Sequence, residues 1–402
     1  MAAFDRNSRI HVATWNVAEQ GPPINFDSWL GLTGETAPEL MAVGLQEMAD
    51  ETQWSNRILS FLTSKGYVRI KTRTLGWLLT QVFVKRTKLL DVSNVESEST
   101  KTGFGGLIAN KGGVSIRLDY CGVNLIFVNC HLTAHDPKVK ERIEDYMDIL
   151  DAQKFRDSDV DFILDHDYVF WMGDLNFRID DLDKTEIEHR VKKGELQTMW
   201  PHDQLNKSRK EEIIFVDFEE GPLNFDPTYK YDIGTDDYDS SEKQRKPAWT
   251  DRILWMTHED SFKDVTLSAQ QLYYRNYQEY KNSDHKPVSA GFEIKVLNES
   301  PSMPVQFTTV CDWKPGQDNE ANYSVSGDLE VSTWDWIGLY RSDFKHPEDH
   351  LTYEWAKPQE KNDESEIKFG GSYTAKLTGR FVLAYFNRKK NYLVGYSNEF
   401  DI

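Results

Sequence analysis

The 402-residue sequence is short of cysteine, of basic charge and of long apolar runs. Its three cysteines, Cys121, Cys130 and Cys311, lie far apart with no C-x-x-C, so neither a disulfide framework nor a cysteine-held zinc is implied. Such usage suits a reducing compartment. Lysine and arginine number 47 against 66 aspartates and glutamates, a formal net charge of −19. That field argues against a protein that holds nucleic acid or an anionic membrane by overall attraction, and no nucleic-acid partner is expected. An anionic substrate held locally by a few lysines and a divalent cation remains compatible, because a bound metal reverses the charge of its site. The longest nearly apolar stretch, Leu75–Val84, is too short and too polar to cross a bilayer. Met1-Ala2-Ala3-Phe4-Asp5-Arg6 lacks an apolar signal core, so a cytoplasmic protein is expected. A GxxxxGK(S/T) phosphate loop, a GxSxG elbow and an HExxH helix are also missing. Cys130 is followed by His131-Leu132-Thr133, not by the nearby arginine of a cysteine phosphatase. Four common catalytic classes are thereby set aside.

What the sequence does have is a set of apolar strands with reactive residues at their ends. Tyr168-Val169-Phe170-Trp171-Met172 reads as a buried strand, punctuated by Gly173 and followed by Asp174 and Asn176. In an extended segment those two polar side chains share a face, whereas a polar Asx-turn is the alternative. The same pattern recurs where Ile10–Thr14 leads to Asn16, Met41–Leu45 to Glu47, and Val123–Val128 to His131. Asp284 and His285 stand just before the strand Val288–Val296, and Asp251 just before Ile253-Leu254-Trp255. Helices are expected over Glu51–Leu62, Glu186–Leu196 and Lys138–Phe155, the last with Ile143, Tyr146, Met147 and Leu150 inward. A glycine-rich passage, Gly103-Phe104-Gly105-Gly106 then Asn110-Lys111-Gly112-Gly113, fits either a phosphate-approaching backbone or a bulged hairpin.

Asn16, Glu47, Asp174, Asn176 and Asp284 offer hard oxygen donors, which favours Mg2+ over zinc. His131 and His285 are able to bond phosphoryl oxygens or move a proton near neutral pH. The chain is long for one core, and two domains are expected. After Val296 comes a polar, proline-bearing linker over residues 298–304. Beyond it lie short strands at Val305–Val310, Asn322–Val325, Trp336–Tyr340, Ser372–Leu377, Phe381–Asn387 and Tyr392–Tyr396. That spacing suggests a β-sandwich.

Seven motifs, in order, resemble the inositol polyphosphate 5-phosphatases. They are Thr14-Trp15-Asn16-Val17, Leu45-Gln46-Glu47, Asn110-Lys111-Gly112-Gly113, Asn129-Cys130-His131-Leu132, Gly173-Asp174-Leu175-Asn176-Phe177-Arg178, Pro247-Ala248-Trp249-Thr250-Asp251-Arg252 and Ser283-Asp284-His285-Lys286-Pro287. The tail, with Asp335-Trp336-Ile337-Gly338-Leu339-Tyr340, is similar to a SKICH domain. The resemblance implies an α/β fold, the deoxyribonuclease-I-like four-layer α/β sandwich, over residues 1–297. An all-β SKICH-like sandwich follows over residues 305–402.

It further implies that Glu47 and Asn16 hold Mg2+, with Asp284 near the metal. Asp174 would orient or deprotonate the attacking water beside Asn176. His285, held by Asp251, and His131 would contact the 5-phosphate, and which of Asp174 and His285 is the base stays open. Tyr229, Lys230 and Lys243 would contact a 4-phosphate, and Asn110 and Lys111 would border the pocket. Thr250 departs from the cysteine common there. The implied activity is Mg-dependent removal of the 5-phosphate from phosphoinositides bearing a 4-phosphate, with soluble inositol polyphosphates as further substrates. The implied partners are the phosphoinositide headgroup, a transiently contacted membrane surface and proteins met through the C-terminal domain. Recruitment would be to the plasma membrane or endoplasmic reticulum. A nuclease or sphingomyelinase on the same fold, which does not need Tyr229, Lys230 and Lys243, is the nearest rival. A catalytically dead scaffold is the rival from another class.

Overall fold

A computed structural model describes residues 5–34, 36–103, 106, 108–156, 160–297, 303–326, 329–357 and 364–402. The strands of the first unit are β1 (Asp5–Asn16), β2 (Leu40–Gln46), β3 (Tyr67–Leu75), β4 (Leu78–Lys85), β5 (Val92–Gly103) and β6 (Ile108–Tyr120). They continue with β7 (Val123–His131), β8 (Tyr168–Asp174), β9 (Asp251–Thr257), β10 (Ala269–Asn276) and β11 (Val288–Leu297). Its helices are α1 (Glu51–Thr63), α2 (Val139–Ala152), α3 (Lys184–Lys193) and α4 (Gln204–Lys210). Among the described residues, one sheet has the order β10-β11-β1-β2-β4-β3 and the other β5-β6-β7-β8-β9.

The apolar runs are nearly continuous because each central strand is buried on both faces. In β8, Tyr168, Phe170 and Met172 face the other sheet, while Val169 and Trp171 face the helical layer around α2. In β1, Ile10 and Val12 face inward, and Ala13 and Trp15 meet Trp54 and Ile58 of α1 on the outside. The result is the deoxyribonuclease-I-like arrangement of helix, sheet, sheet and helix. Asn129 staples the two sheets, donating from Nδ2 to the carbonyls of Leu45 at 3.2 Å and Leu79 at 3.0 Å. Gly44 is needed there, since a Cβ would lie 2.7 Å from the Asn129 side chain.

Helix α2 is rotated from the expected orientation. Its buried residues are Arg142, Asp145, Tyr146 and Ile149, Ile143 and Leu150 are only partly buried, and Met147 is exposed. The cause is polar. Asp145 Oδ2 accepts the Thr133 N–H at 2.7 Å, and Arg142 donates to the carbonyls of Thr133 and His135. Two charged residues therefore point inward to hold the loop after β7. Helix α3 stops earlier than expected, at Gly194 with φ of 69°. The Asn110–Gly113 stretch lies inside β6, paired with β5 and β7, which is the hairpin alternative. Phe104 and Gly105 of the same passage lie outside the described residues.

The second unit contains β12 (Val305–Phe307), β13 (Asn319–Val325), β14 (Trp336–Arg341), β15 (Thr352–Trp355), β16 (Glu364–Phe369), a helical turn α5 (Gly371–Thr374), β17 (Arg380–Asn387), β18 (Tyr392–Tyr396) and β19 (Phe400–Asp401). Sheets β12-β13-β16 and β15-β14-β17-β18, with β19 on β17, enclose Val305, Tyr323, Ile337, Leu339, Phe369, Leu383 and Tyr385. The expected strand over Ser372–Leu377 is the turn α5, where Tyr373 is exposed and only Thr374 of the pair turns inward. Strand β16 went unread because Glu364, Glu366 and Lys368 alternate with a buried serine, Ser365, which masks the apolar period. Residues 298–302 of the expected linker lie outside the described residues.

The two units touch. The Arg86 guanidinium lies 4.6 Å from the Phe344 ring centroid, and the backbone N–H groups of Arg69 and Asn94 donate to the carbonyls of Lys345 and Lys390. Asn391 Nδ2 donates to Val95 O at 2.9 Å. Strands β3 and β5, the edges of the two catalytic-unit sheets, are thus both met by the second unit.

Candidate active site

Strand register brings the reactive residues to one edge. β1 and β2 run parallel and pair Asn16 with Gln46, so both chains leave the sheet together. β7 and β8 run parallel and pair His131 with Asp174, and β9 returns antiparallel with Asp251 opposite Asp174. Gly173 permits this closeness: at φ 143° its missing Cβ would sit 2.1 Å from Cys130 O.

Asp174 is the hub and is 1% exposed. Its Oδ2 accepts from Asn16 Nδ2 at 3.0 Å and lies 3.3 Å from His131 Nε2 and 4.0 Å from His285 Nε2. Its Oδ1 accepts the Asn176 N–H at 3.0 Å. Asn176 has φ of 58°, so the expected shared face of an extended segment does not hold. The Asx-turn forms instead, and it anchors the carboxylate rather than competing with function. Asn176 Nδ2 donates to Leu132 O at 3.0 Å, and Oδ1 accepts from Arg178 Nη2 at 2.5 Å.

His285 Nδ1 is 2.8 Å from Asp251 Oδ2, which also accepts from Thr228 Oγ1 at 2.6 Å and Thr250 Oγ1 at 2.9 Å. Ser283 Oγ accepts the His285 N–H, and Trp15 Nε1 donates to the His285 carbonyl. Burial pulls His285 toward the neutral imidazole, but Asp251, Asp174 and Asp284 outweigh it and push its pKa up to about 10. For Asp174, burial acts upward, yet the His131 hydrogen bond and the charges of His131, His285 and Lys111 hold its carboxyl well below the usual range. His131 is kept below its ordinary value by burial and by Lys111, whose Nζ meets His131 Nε2. Burial lowers Lys111 in turn, against Asp174 and Glu47.

The remaining expected residues are placed less uniformly. Glu47 Oε1 lies 3.8 Å from His131 Nε2, with a side chain 38% exposed. Asn16 Oδ1 accepts the Ala18 N–H at 3.0 Å. Tyr229 packs against His285 with ring centroids 4.6 Å apart and planes tilted by 41°, with the Arg178 guanidinium 4.4 Å over its ring. Lys230 does not stand free: its Nζ is 2.6 Å from Asp284 Oδ2. Lys243 and Asn110 are exposed, and among the described residues no ion pair holds Lys243. Thr228 and Gln204 were not read as site residues. Gln204 Oε1 accepts from Arg142 Nη2 and the Arg178 N–H, and Nε2 donates to Asp136 O and Asp180 Oδ1, tying the loops after β7 and β8 together. A lone glutamine at a helix start gives no sequence signal for that. Arg178 was visible inside its motif, but nothing there marked its contact with Tyr229.

The donor set fits a divalent cation. Carboxylate and imidazole atoms of Asp174, Asp251 and His285 lie within 4.8 Å of one another, all buried. Asp251 Oδ1 and Asp284 Oδ1 are buried carboxylate oxygens without a hydrogen-bond partner. Oxygen-rich surroundings of this kind suit a hard cation. Asp251 is already wrapped by three donors, whereas Glu47 retains an open carboxylate.

Residues 13–291 match the family model described as Endonuclease/Exonuclease/phosphatase family 2, and residues 305–402 match the SKICH domain. The chain is 37% identical over 420 residues to phosphatidylinositol 4,5-bisphosphate 5-phosphatase A of Rattus norvegicus, covering 99% of this chain and 42% of that protein. It therefore spans less than half the length of that relative. With inositol polyphosphate 5-phosphatase K of Mus musculus the identity is 33%, covering 98% of this chain and 89% of the relative. Among solved structures, the inositol polyphosphate 5-phosphatase domain of SPsynaptojanin, in complex with inositol (1,4)-bisphosphate and calcium ion, superposes with a TM-score of 0.66 at 34% identity. That match covers 73% of this chain and 86% of the other. A Cimex nitrophorin, solved as a ferrous NO complex, superposes at 0.60 with 25% identity, over 72% of this chain and 99% of its own. One fold thus carries unlike chemistries, and function has to be argued from the residues. On these matches the chain belongs to the inositol polyphosphate 5-phosphatase family of phosphoric monoester hydrolases, with a SKICH domain in its C-terminal part.

Proposed function

We propose that the chain removes the 5-phosphate from phosphoinositides that also carry a 4-phosphate, phosphatidylinositol 4,5-bisphosphate and the 3,4,5-trisphosphate foremost, and from soluble inositol polyphosphates. The observation that carries this reading is the line Asp251–His285–Asp174, with His285 Nδ1 on Asp251 and His285 Nε2 turned toward Asp174. A histidine held cationic by Asp251 is suited to bond a phosphoryl oxygen. Asp174, held ionised, is suited to orient a water and take its proton, so these charges favour Asp174 over His285 as base. His131 would bond a second phosphoryl oxygen, and Asn176 and Arg178 keep Asp174 in place. Glu47 and Asn16, with Asp284 nearby, would hold Mg2+, which supplies neutralisation of phosphoryl charge.

Recognition of the 4-phosphate would fall to Tyr229, Lys230 and Lys243 beside Asn110 and Lys111. Lys243 is available as a point cation, while Lys230 has to exchange Asp284 for phosphate. We place this activity in residues 1–297, joined through 298–304 to the SKICH domain of 305–402. The setting is cytoplasmic, with transient membrane contact at the plasma membrane or endoplasmic reticulum and protein partners met through the C-terminal domain. No described helix is long and apolar enough to cross a membrane. Loss of residues 305–402 should therefore change cellular distribution, and an unchanged distribution would remove that part.

The chemistry is tested by phosphate release from 4,5-bisphosphate and 5-monophosphate phosphoinositides, with Mg2+ or with EDTA, beside Asp174→Ala. Release from the bisphosphate alone, lost with EDTA and reduced about 10²–10⁴-fold by the substitution, is expected. Equal rates on both lipids would sink the 4-phosphate clamp. No release from folded protein would sink the enzyme reading.

A further inference from the structure

The C-terminal domain carries a cleft that the catalytic reading does not use. Its volume is about 310 Å³, and Trp334, Trp336, Trp355, Phe386 and Arg388 line it. Trp336 stacks on Phe386 at 4.9 Å and 12°, forming a floor. Trp334 and Trp355 meet edge to face at 5.8 Å and 79°, forming a wall continued by Tyr353. Trp334 is 64% exposed and Trp355 43%. Exposed indoles gathered in one place mark an interaction surface, since apolar area of this kind costs free energy in water. The surface also continues an existing interface. Trp336 and Phe386 share a sheet face with Tyr340 and Val382, which join the apolar cluster shared with the catalytic unit.

We infer that this cleft binds a proline-rich peptide segment in the polyproline II conformation that carries an acidic side chain. Three features select that occupant. Flat aromatic walls stack on proline rings, and a polyproline II strand arrives already ordered, with its carbonyls unpaired. Trp334 and Trp355 are exposed, which leaves their indoles open to those carbonyls. Arg388 stands in the wall: its backbone N–H donates to Asp335 Oδ1 at 2.8 Å, while its guanidinium makes no ion pair among the described residues and seeks an acid. The same cation disfavours an aromatic cage for quaternary ammonium groups. Geometry also favours a peptide over a lipid surface. The domain docks near Arg69 and Asn94, at the ends of β3 and β5 remote from the strand ends that form the candidate active site.

The test uses the full chain and does not depend on phosphatase activity. A blocked heptaproline peptide with glutamate at its centre is titrated while tryptophan fluorescence is read, beside the same peptide with a central lysine. Saturable binding of the glutamate peptide is expected, with the lysine peptide about tenfold weaker, the loss of one charge-assisted contact. Trp334→Ala should abolish the difference from baseline, and Arg388→Glu should reverse the charge preference. Both positions are exposed, and circular dichroism checks that the variants fold. Absence of saturable binding by wild-type chain would overturn the inference, as would binding indifferent to both substitutions. Trp334-dependent sedimentation with phosphatidylcholine–phosphatidylserine vesicles, in place of peptide binding, would overturn it in favour of a lipid occupant.

Discussion

Three donors converge on one oxygen, Asp251 Oδ2, and this convergence governs how His285 behaves. Asp251→Asn removes the charge that sustains the imidazolium while keeping the shape. Histidine titration followed by NMR should then show His285 falling from about 10 toward its ordinary value of 6.5. The sign for stability follows from the raised value. The folded state prefers the charged ring, so this contribution is complete below about 6.5 and is lost as pH climbs through about 10. Wild-type and Asp251→Asn chains should differ most in urea stability at the acid end of that window and converge at its alkaline end. A constant difference across it would break the assignment. Thr250 contributes here as well: its hydroxyl donates to Asp251 at 2.9 Å, where a thiol is a weaker donor. Thr250→Cys should therefore leave phosphate release standing, since Asp251 Oδ2 keeps Thr228 and His285 as partners.

At the scale of elements, α2 shows what the sequence could and could not tell. Its existence is legible from apolar spacing, but it ends at Ala152 and not at the expected Phe155, and its facing is not legible. Met147 looks like a core residue in the sequence and is exposed, while Arg142 and Asp145 look like surface and are buried. Their partners are backbone groups of Thr133 and His135, which no side-chain pattern reports. Met147→Lys should change urea stability by less than about 0.5 kcal/mol. Ile149→Ala, at a fully buried position, should cost about 2–5 kcal/mol. The reverse ranking would restore the orientation expected from hydropathy. The strand-end residues were legible for a different reason. A buried strand of known direction delivers its last residue to a known edge, so Asn16, His131 and Asp174 could be grouped before any coordinates. Gln204 and Thr228 could not: Gln204 opens α4 and acts through four bonds to loops distant in sequence, and Thr228 acts through one contact from an irregular segment.

At the scale of the whole molecule, the second unit docks through Tyr340, Phe344, Val382, Tyr392 and Leu393 in an apolar cluster shared with the catalytic unit, through Arg86 against Phe344, and through backbone bonds to β3 and β5. Replacing Arg86 and Phe344 together by alanine should separate the units, seen as two calorimetric transitions where the wild type gives one. Phosphate release from a soluble inositol phosphate should be unchanged, since neither residue is near Asp174. A single transition in the double variant would mean that the remaining contacts suffice.

The pairing of β1 with β11 has a consequence for how the protein is made. Asp5 lies opposite Leu297, so the first strand of the catalytic unit waits beside an empty place until the last one emerges from the ribosome. His285 arrives on that same returning segment, and Trp15 can reach its carbonyl only then. At about 5–20 residues per second, the N-terminal strands exist for tens of seconds before their sheet is complete. A nascent chain halted just before His285 would hold most of the catalytic unit's core and none of the assembled Asp174–His285 pair. The Asp174–His285 pair is therefore assembled only once β11 has been made, and the half-made sheet is the stage at which a chaperone has the most to protect.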